Sequence, residues 1–215
     1  MFAVAGRARF LSHLETVDTL LGALRRAGYD IALSKGMKPR PVISLAAPRS
    51  VGVETLADMA DVEIVGDHDP AEIAARLDAE LPGGISVAGV EPAGGKPAAS
   101  RVEALAYDVE VVEDVDWPDA LRAFEAVDRC EVVRTAPGKA DRRIDVKLYC
   151  SGIEHDPGHL RMEVRMTDSG TARPDEIAQA VAGMAGQTAT IKRLVRTAIR
   201  LREPVGAQTW HSSPM

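Results

Sequence analysis

Pro174-Asp175-Glu176-Ile177-Ala178 differs from Pro70-Ala71-Glu72-Ile73-Ala74 at one position, and the two strings lie 104 residues apart. Proline is favoured as the first residue of a helix, where its missing N–H has no intrahelical partner to lose and its fixed φ already suits the helix. Both strings therefore predict helix starts. A second pair of landmarks has the same spacing. Ser12-His13-Leu14-Glu15 is a capping-box pattern, followed by Val17, Leu20, Leu21 and Leu24 at helical spacing and by Gly28 as a stop. In the other half, Asp116 precedes Trp117-Pro118, with Leu121, Phe124 and Val127 on one stripe. From 12 to 116 is again 104 residues. Two landmarks at one offset predict an internal duplication of a unit of roughly one hundred residues.

Each unit reads strand, helix, strand, strand, helix, strand. In the second, Leu105–Val112, Arg143–Cys150 and Leu160–Met166 alternate between apolar and polar residues, so one face of each strand packs and the other is wet. In the first, the strand candidates Ile31–Leu33, Val42–Ala46, Asp61–Val65 and Ile85–Val90 are short. Alternation of this kind marks antiparallel sheets covered by helices on one side. The expected fold class is α+β: two tandem ferredoxin-like (split βαβ) units with antiparallel sheets. The Gly- and Pro-rich stretch 92–100 is the expected linker, joining a first unit at 1–91 to a second at 101–203, with a flexible tail at 204–215.

The 215 residues carry 26 Lys and Arg against 32 Asp and Glu, a net charge of −6 that is unevenly spread. Residues 1–50 are net +5, residues 51–130 net −14 and residues 131–215 net +3. Basic ends that meet in the fold would form one basic surface. No stretch suits a membrane span and no secretory signal opens the chain, so a cytoplasmic protein is expected. Two cysteines, Cys130 and Cys150, cannot supply a cluster or structural zinc site and are expected to pack as small hydrophobes. The chain lacks a Gly-rich phosphate cradle of the Walker or dinucleotide type, and no cofactor is expected.

Three basic features are candidate phosphate contacts. Ser12 and His13 at a helix start, with Arg7 and Arg9 before them, could hold an anion. The loop Ser34–Pro41 presents Lys35, Lys38 and Arg40 among turn formers. It is expected to lie beside Arg7 and Arg9. In the last strand, Lys192, Arg196 and Arg200 share a parity opposite to Ile191, Val195 and Ile199, which predicts either a basic stripe or a charged edge strand. His155-Asp156-Pro157-Gly158-His159 reads as a hairpin tip rather than a metal site, and no catalytic residues are assigned.

Gly6-Arg7-Ala8-Arg9-Phe10-Leu11-Ser12-His13-Leu14-Glu15, Arg25-Arg26-Ala27-Gly28, Ser34–Pro41, Val51–Glu54, Ile144–Tyr149 and Arg173–Ile177 resemble the radical-SAM-linked protein family over nearly the whole chain. The resemblance implies a domain of unknown function encoded beside, or fused to, cobalamin-binding radical SAM proteins, often near ribonuclease E/G-type genes. It implies a partner and no reaction. Met37-Lys38 stands where Phe-Asn is common and Arg40 where His is common, so no role for the Gly36–Pro41 loop is carried over. The short segment before Gly6 leaves room for residues upstream of Met1. The expected function is a non-catalytic accessory module that binds the RNA backbone and works with a radical SAM protein. The alternatives are an interaction subunit docking through Asp58, Asp61, Glu63, Asp67 and Asp69, or a ferredoxin-like endoribonuclease.

Overall fold

Ser12 caps the first helix as its sequence predicts. Its side chain accepts from the Glu15 N–H at 3.3 Å, and Glu15 accepts from the Ser12 N–H at 2.8 Å. The computed structural model describes residues 1–135, 138 and 140–202, so the expected tail at 204–215 and the end of the second unit at 203 lie outside the described residues. In chain order the elements are β1 (Phe2–Val4), α1 (His13–Arg26), β2 (Ile43–Leu45), β3 (Glu54–Asp58), β4 (Ala60–Val62), α2 (Pro70–Glu80) and β5 (Ile85–Val87). There follow β6 (Val102–Val111), α3 (Trp117–Ala126), β7 (Glu131–Arg134), β8 (Arg142–Asp145), β9 (Cys150–Asp156), β10 (His159–Arg165), α4 (Pro174–Met184) and β11 (Ile191–Leu201).

The fold is α+β, with four α-helices among the described residues and a mostly antiparallel sheet. The helix caps fall where the 104-residue offset predicts. Asp116 accepts from Asp119 N–H at 3.1 Å, and α2 and α4 both open on proline. The sheets do not follow the expectation of two tandem units. Seven strands form one continuous sheet in the order β5-β1-β3-β11-β6-β10-β9. Residues 102–201 contribute four strands in split βαβ order, with the β7–β8 ribbon inserted after α3. Residues 2–87 contribute three, and the edge that β9 occupies in the second half is taken in the first by β11, which runs parallel to β3. β2 and β4 pair with each other in a separate ribbon.

β3 escaped the pattern reading because Glu54-Thr55-Leu56-Ala57-Asp58 does not alternate between apolar and polar. Its buried positions are Glu54, Thr55 and Asp58. The expected strand 143–150 is likewise broken. Asp145 accepts from the N–H of Lys147 at 3.2 Å and of Cys130 at 3.0 Å, which turns Val146–Leu148 into a 3-10 turn. Lys147, expected on the wet side of that strand, instead donates to the Phe124 and Glu125 carbonyls at 2.8 and 3.2 Å and to that of Val127, closing the C-terminus of α3.

The main core joins β6 and β10 to α3 and α4 through Leu105, Val109, Trp117, Leu160, Val164, Ile177 and Val181. Two smaller clusters serve the first half, one around Phe2, Val4 and Leu20 and one around Leu24, Tyr29 and Ile73. The segment expected as a linker is exposed from Glu91 to Pro97, but Ala98 is buried in the main core and donates its N–H to Asp61 at 2.7 Å.

Candidate functional site

Where β11 meets β3 the helix layer opens into a cleft of about 1160 Å³. Its floor includes Leu105, Tyr107, Val164 and Arg196, and its walls are the loop Pro48–Val53, the start of α4 with Arg173, and the loop Gln187–Thr190. Arg9, Phe10, Arg134, Lys192 and Arg193 complete the lining.

Two buried carboxylates organise the arginines here. Glu54, at 6% exposure, accepts from Arg193 Nη2 at 2.7 Å, Arg193 Nε at 2.9 Å, Arg9 Nη1 at 3.2 Å and the Gly6 N–H at 3.2 Å. Burial pushes its carboxyl up, but the bonds from Arg193 and Gly6 outweigh it and hold it below the ordinary value. Asp58 sits between Arg196, whose Nη1 is 2.8 Å from Oδ1, and Arg49, whose Nε is 3.4 Å from Oδ2. Arg196 is 1% exposed and also donates to the Pro48 carbonyl at 2.6 Å. Arg49 donates to the Val53 and Arg9 carbonyls at 2.7 and 3.1 Å. These bonds tie the wall loop to the sheet. Burial lowers the Arg49 pKa, Asp58 opposes the change, and the nearby Arg196 charge adds to it. Among the described residues neither Arg49 Nε nor Arg196 Nε has a hydrogen-bond partner. Four guanidiniums thus share two carboxylates, with Arg49 and Arg196 buried and Arg9 and Arg193 partly exposed to solvent.

The expected basic residues divide. Arg9, Lys192 and Arg196 line the cleft; Arg7, Ser12, His13, Lys35, Lys38, Arg40 and Arg200 do not. Ser12 is engaged as a cap, and the Glu15 carboxylate already occupies the helix start that was expected to attract an anion. His13 and Arg7 are exposed. The Ser34–Pro41 loop contributes none of its cations to the cleft that Arg9 lines. It extends past the Ile31–Ile64 and Leu33–Pro41 bridges, and Ile31 and Ile64 pack with Leu24 and Ala27 at the C-terminal end of α1. Arg7 and Arg9 precede the opposite end of that helix, roughly 20 Å away along its axis.

The basic stripe on β11 is also corrected. A bulge between Arg196 and Ala198 places Arg196 opposite Tyr107 and Ile199 opposite Leu105, on one face, and turns Arg200 to the other. Arg196 is buried, Lys192 pairs with Glu110 at 2.7 Å, and Arg200 pairs with Glu163 at 2.7 Å. The strand is internal to the sheet, so its charges do not protect an edge. Of the acidic docking group, Asp58 is buried in its ion pairs and Asp61 accepts from Ala98.

Arg49, Glu54, Arg134, Arg173 and Arg193 were not singled out in the sequence. An arginine within the mostly apolar Leu194–Ile199 segment was a sign of a buried partner for Arg196. Burial pushes the Cys150 thiol up to about 12 and also raises that of Cys130, as suits packed rather than reactive cysteines. The His155–His159 stretch forms the expected hairpin tip, and His159 Nδ1 lies 2.9 Å from Asp108. Among the described residues no group of three His, Cys, Asp or Glu side chains could hold a metal ion, and no helix is long and apolar enough to cross a membrane.

A chain in the crystal structure of a Cbf5-Nop10-Gar1 complex is similar over 92% of this chain, with 12% identity and a TM-score of 0.48. This chain spans 48% of that one. A search of curated proteins gave no match. None of these findings links the chain to radical SAM proteins. Residues 1–174 match the family described as "Uncharacterized protein conserved in bacteria (DUF2344)", and the chain belongs to that family.

Proposed function

We propose that this protein is a non-catalytic module that binds the phosphate backbone of RNA in the cleft between β11, the Pro48–Val53 loop and the start of α4. The observation that carries the reading is the charge surplus: among the described residues seven Lys and Arg side chains line the cleft against three carboxylates, Glu54, Glu110 and Asp175, with Asp58 paired beneath. A phosphodiester brings the missing negative charge, and contacts of this kind need no base reading. Arg193 keeps exposed side-chain surface, at 55%, and can turn from Glu54 to a ligand, while Arg9 stays between Glu54 and the Phe10 ring. Arg49 and Arg196 contribute field from below. The radical SAM partner in this reading comes from the sequence resemblance alone, and the shared 104-residue offset supports descent of the two halves from one ferredoxin-like unit.

The test is fluorescence anisotropy with labelled single-stranded RNA at several salt concentrations. Arg193→Glu should weaken binding and lower the slope of log affinity against log salt by roughly 0.7 for each single-strand phosphate that is no longer neutralised. Lys35→Glu with Lys38→Glu, at the far end of α1, should leave the slope unchanged. The opposite pattern moves the site to the loop, and absence of RNA binding at low salt rejects the reading.

A further inference from the structure

Phe10 is 56% exposed although it lines the cleft, and among the described residues it is the one aromatic of eleven large apolar side chains left open to solvent. The Arg9 guanidinium stands 4.7 Å from its ring centroid, a cation–π contact that holds the ring from one side. Gly52 passes close to the ring edge: a Cβ there would lie 4.0 Å from Phe10 Cε1. Gly52 also fixes the turn, with φ +91° and its N–H donating to the Arg9 carbonyl at 2.8 Å. On the other side of Phe10 the Leu11 N–H donates to the Ala8 carbonyl at 3.1 Å, so the backbone on both sides of the exposed ring is anchored. Glu54 binds Arg9 and Arg193 together, so the ring and the cationic wall are linked through one carboxylate.

We infer that the cleft takes a single-stranded polynucleotide and that Phe10 stacks one of its bases. The inference rests on the proposed backbone binding and adds the ligand's form. An aromatic platform beside cations that track phosphates is the general arrangement for single strands, because every base has a π-face while phosphates alone attract duplex and single strand alike. A duplex keeps its bases stacked inside and offers none to the ring.

The experiment compares an oligouridylate of roughly 12 nucleotides, within the range of single-strand site sizes, with an abasic ribose-phosphate oligomer of equal length and with duplex RNA. Phe10→Leu should weaken oligouridylate binding roughly 5- to 100-fold and leave the abasic oligomer unchanged, while Phe10→Tyr should retain parental affinity for both. Arg193→Glu should weaken both ligands. Equal oligouridylate binding by the parent and Phe10→Leu overturns stacking while leaving backbone binding intact. Tighter binding of duplex than of oligouridylate also overturns the inference. Failure of the parent to bind any of the three overturns both the inference and the reading beneath it.

Discussion

Helices α2 and α4 start on nearly the same five residues and run for 11 residues each, yet they are built into the protein very differently. α4 buries Ile177, Ala178, Val181 and Ala182 in the main core and Pro174 beside the cleft, whereas α2 buries only Ile73. The sheet repeats the asymmetry. The second half supplies four strands of its own, while the first supplies three and pairs β3 with β11 of the other half. Matching local signals can therefore start matching helices without giving matching cores, because burial depends on what the rest of the chain brings against each helix. The second half carries the larger core, and the first is completed by it.

The strongest way to break this comparison is at the seam. Asp58→Asn removes the carboxylate that Arg49 and Arg196 share, and should cost about 3 to 5 kcal/mol in urea denaturation by leaving buried charges unpaired. A loss below about 1 kcal/mol would show that the seam contributes little. Next come the two isoleucines at the same place in the repeat. Ile177→Ala should cost near the upper end of the roughly 2 to 5 kcal/mol range for buried aliphatics, and Ile73→Ala near the lower end, since Ile177 is 0% and Ile73 9% exposed. Equal losses would remove the distinction between the halves.

Acid sharpens the comparison in another way. For Glu54 burial raises the pKa, but hydrogen bonds from Arg193 and Gly6 bring it below the ordinary 4.5; for Glu176 burial is likewise outweighed, by bonds from Arg134 and the Arg173 N–H. The folded state therefore binds fewer protons at these groups than the unfolded chain. Their stabilisation is present above about pH 4.5 and drains as the pH falls through the depressed values. A urea midpoint followed from about pH 7 to about pH 3 should fall once the pH drops below about 4.5, and Glu54→Gln should flatten part of that fall. The smallest effect belongs to Arg200→Gln. Its pair with Glu163 is solvent-exposed on the same strand that holds Arg196, and it should cost under about 1 kcal/mol by the same assay.

Much of the fold was legible locally. A cap needs only one side chain and the next turn's amide, and a proline start needs only its own ring, so Ser12, Asp116, Pro70 and Pro174 marked the helices correctly. The alternation of Leu160, Met162 and Val164 likewise marked the core face of β10. The site was far less legible. Asp58 read as acidic surface and Glu54 went unassigned because the burial of both depends on arginines about 140 residues later, at 193 and 196. Parity along β11 failed because each bulge moves every later side chain to the other face, and bulges are set by pairing with β6.

By itself the sequence determined the helix starts, the α+β class, the 104-residue offset and the uneven charge along the chain, all of which depend on residues within a few turns or on simple counting. Only the tertiary structure decided that the strands join in one sheet, that Arg196 is internal while Arg193 faces the cleft, and that Arg9 and Phe10 meet the Pro48–Val53 loop rather than the Ser34–Pro41 loop. The physical reason is range. Hydrogen-bonded turns and hydrophobic periodicity are written in neighbouring residues, whereas an ion pair across β3 and β11 exists only after two distant segments have been paired at one register.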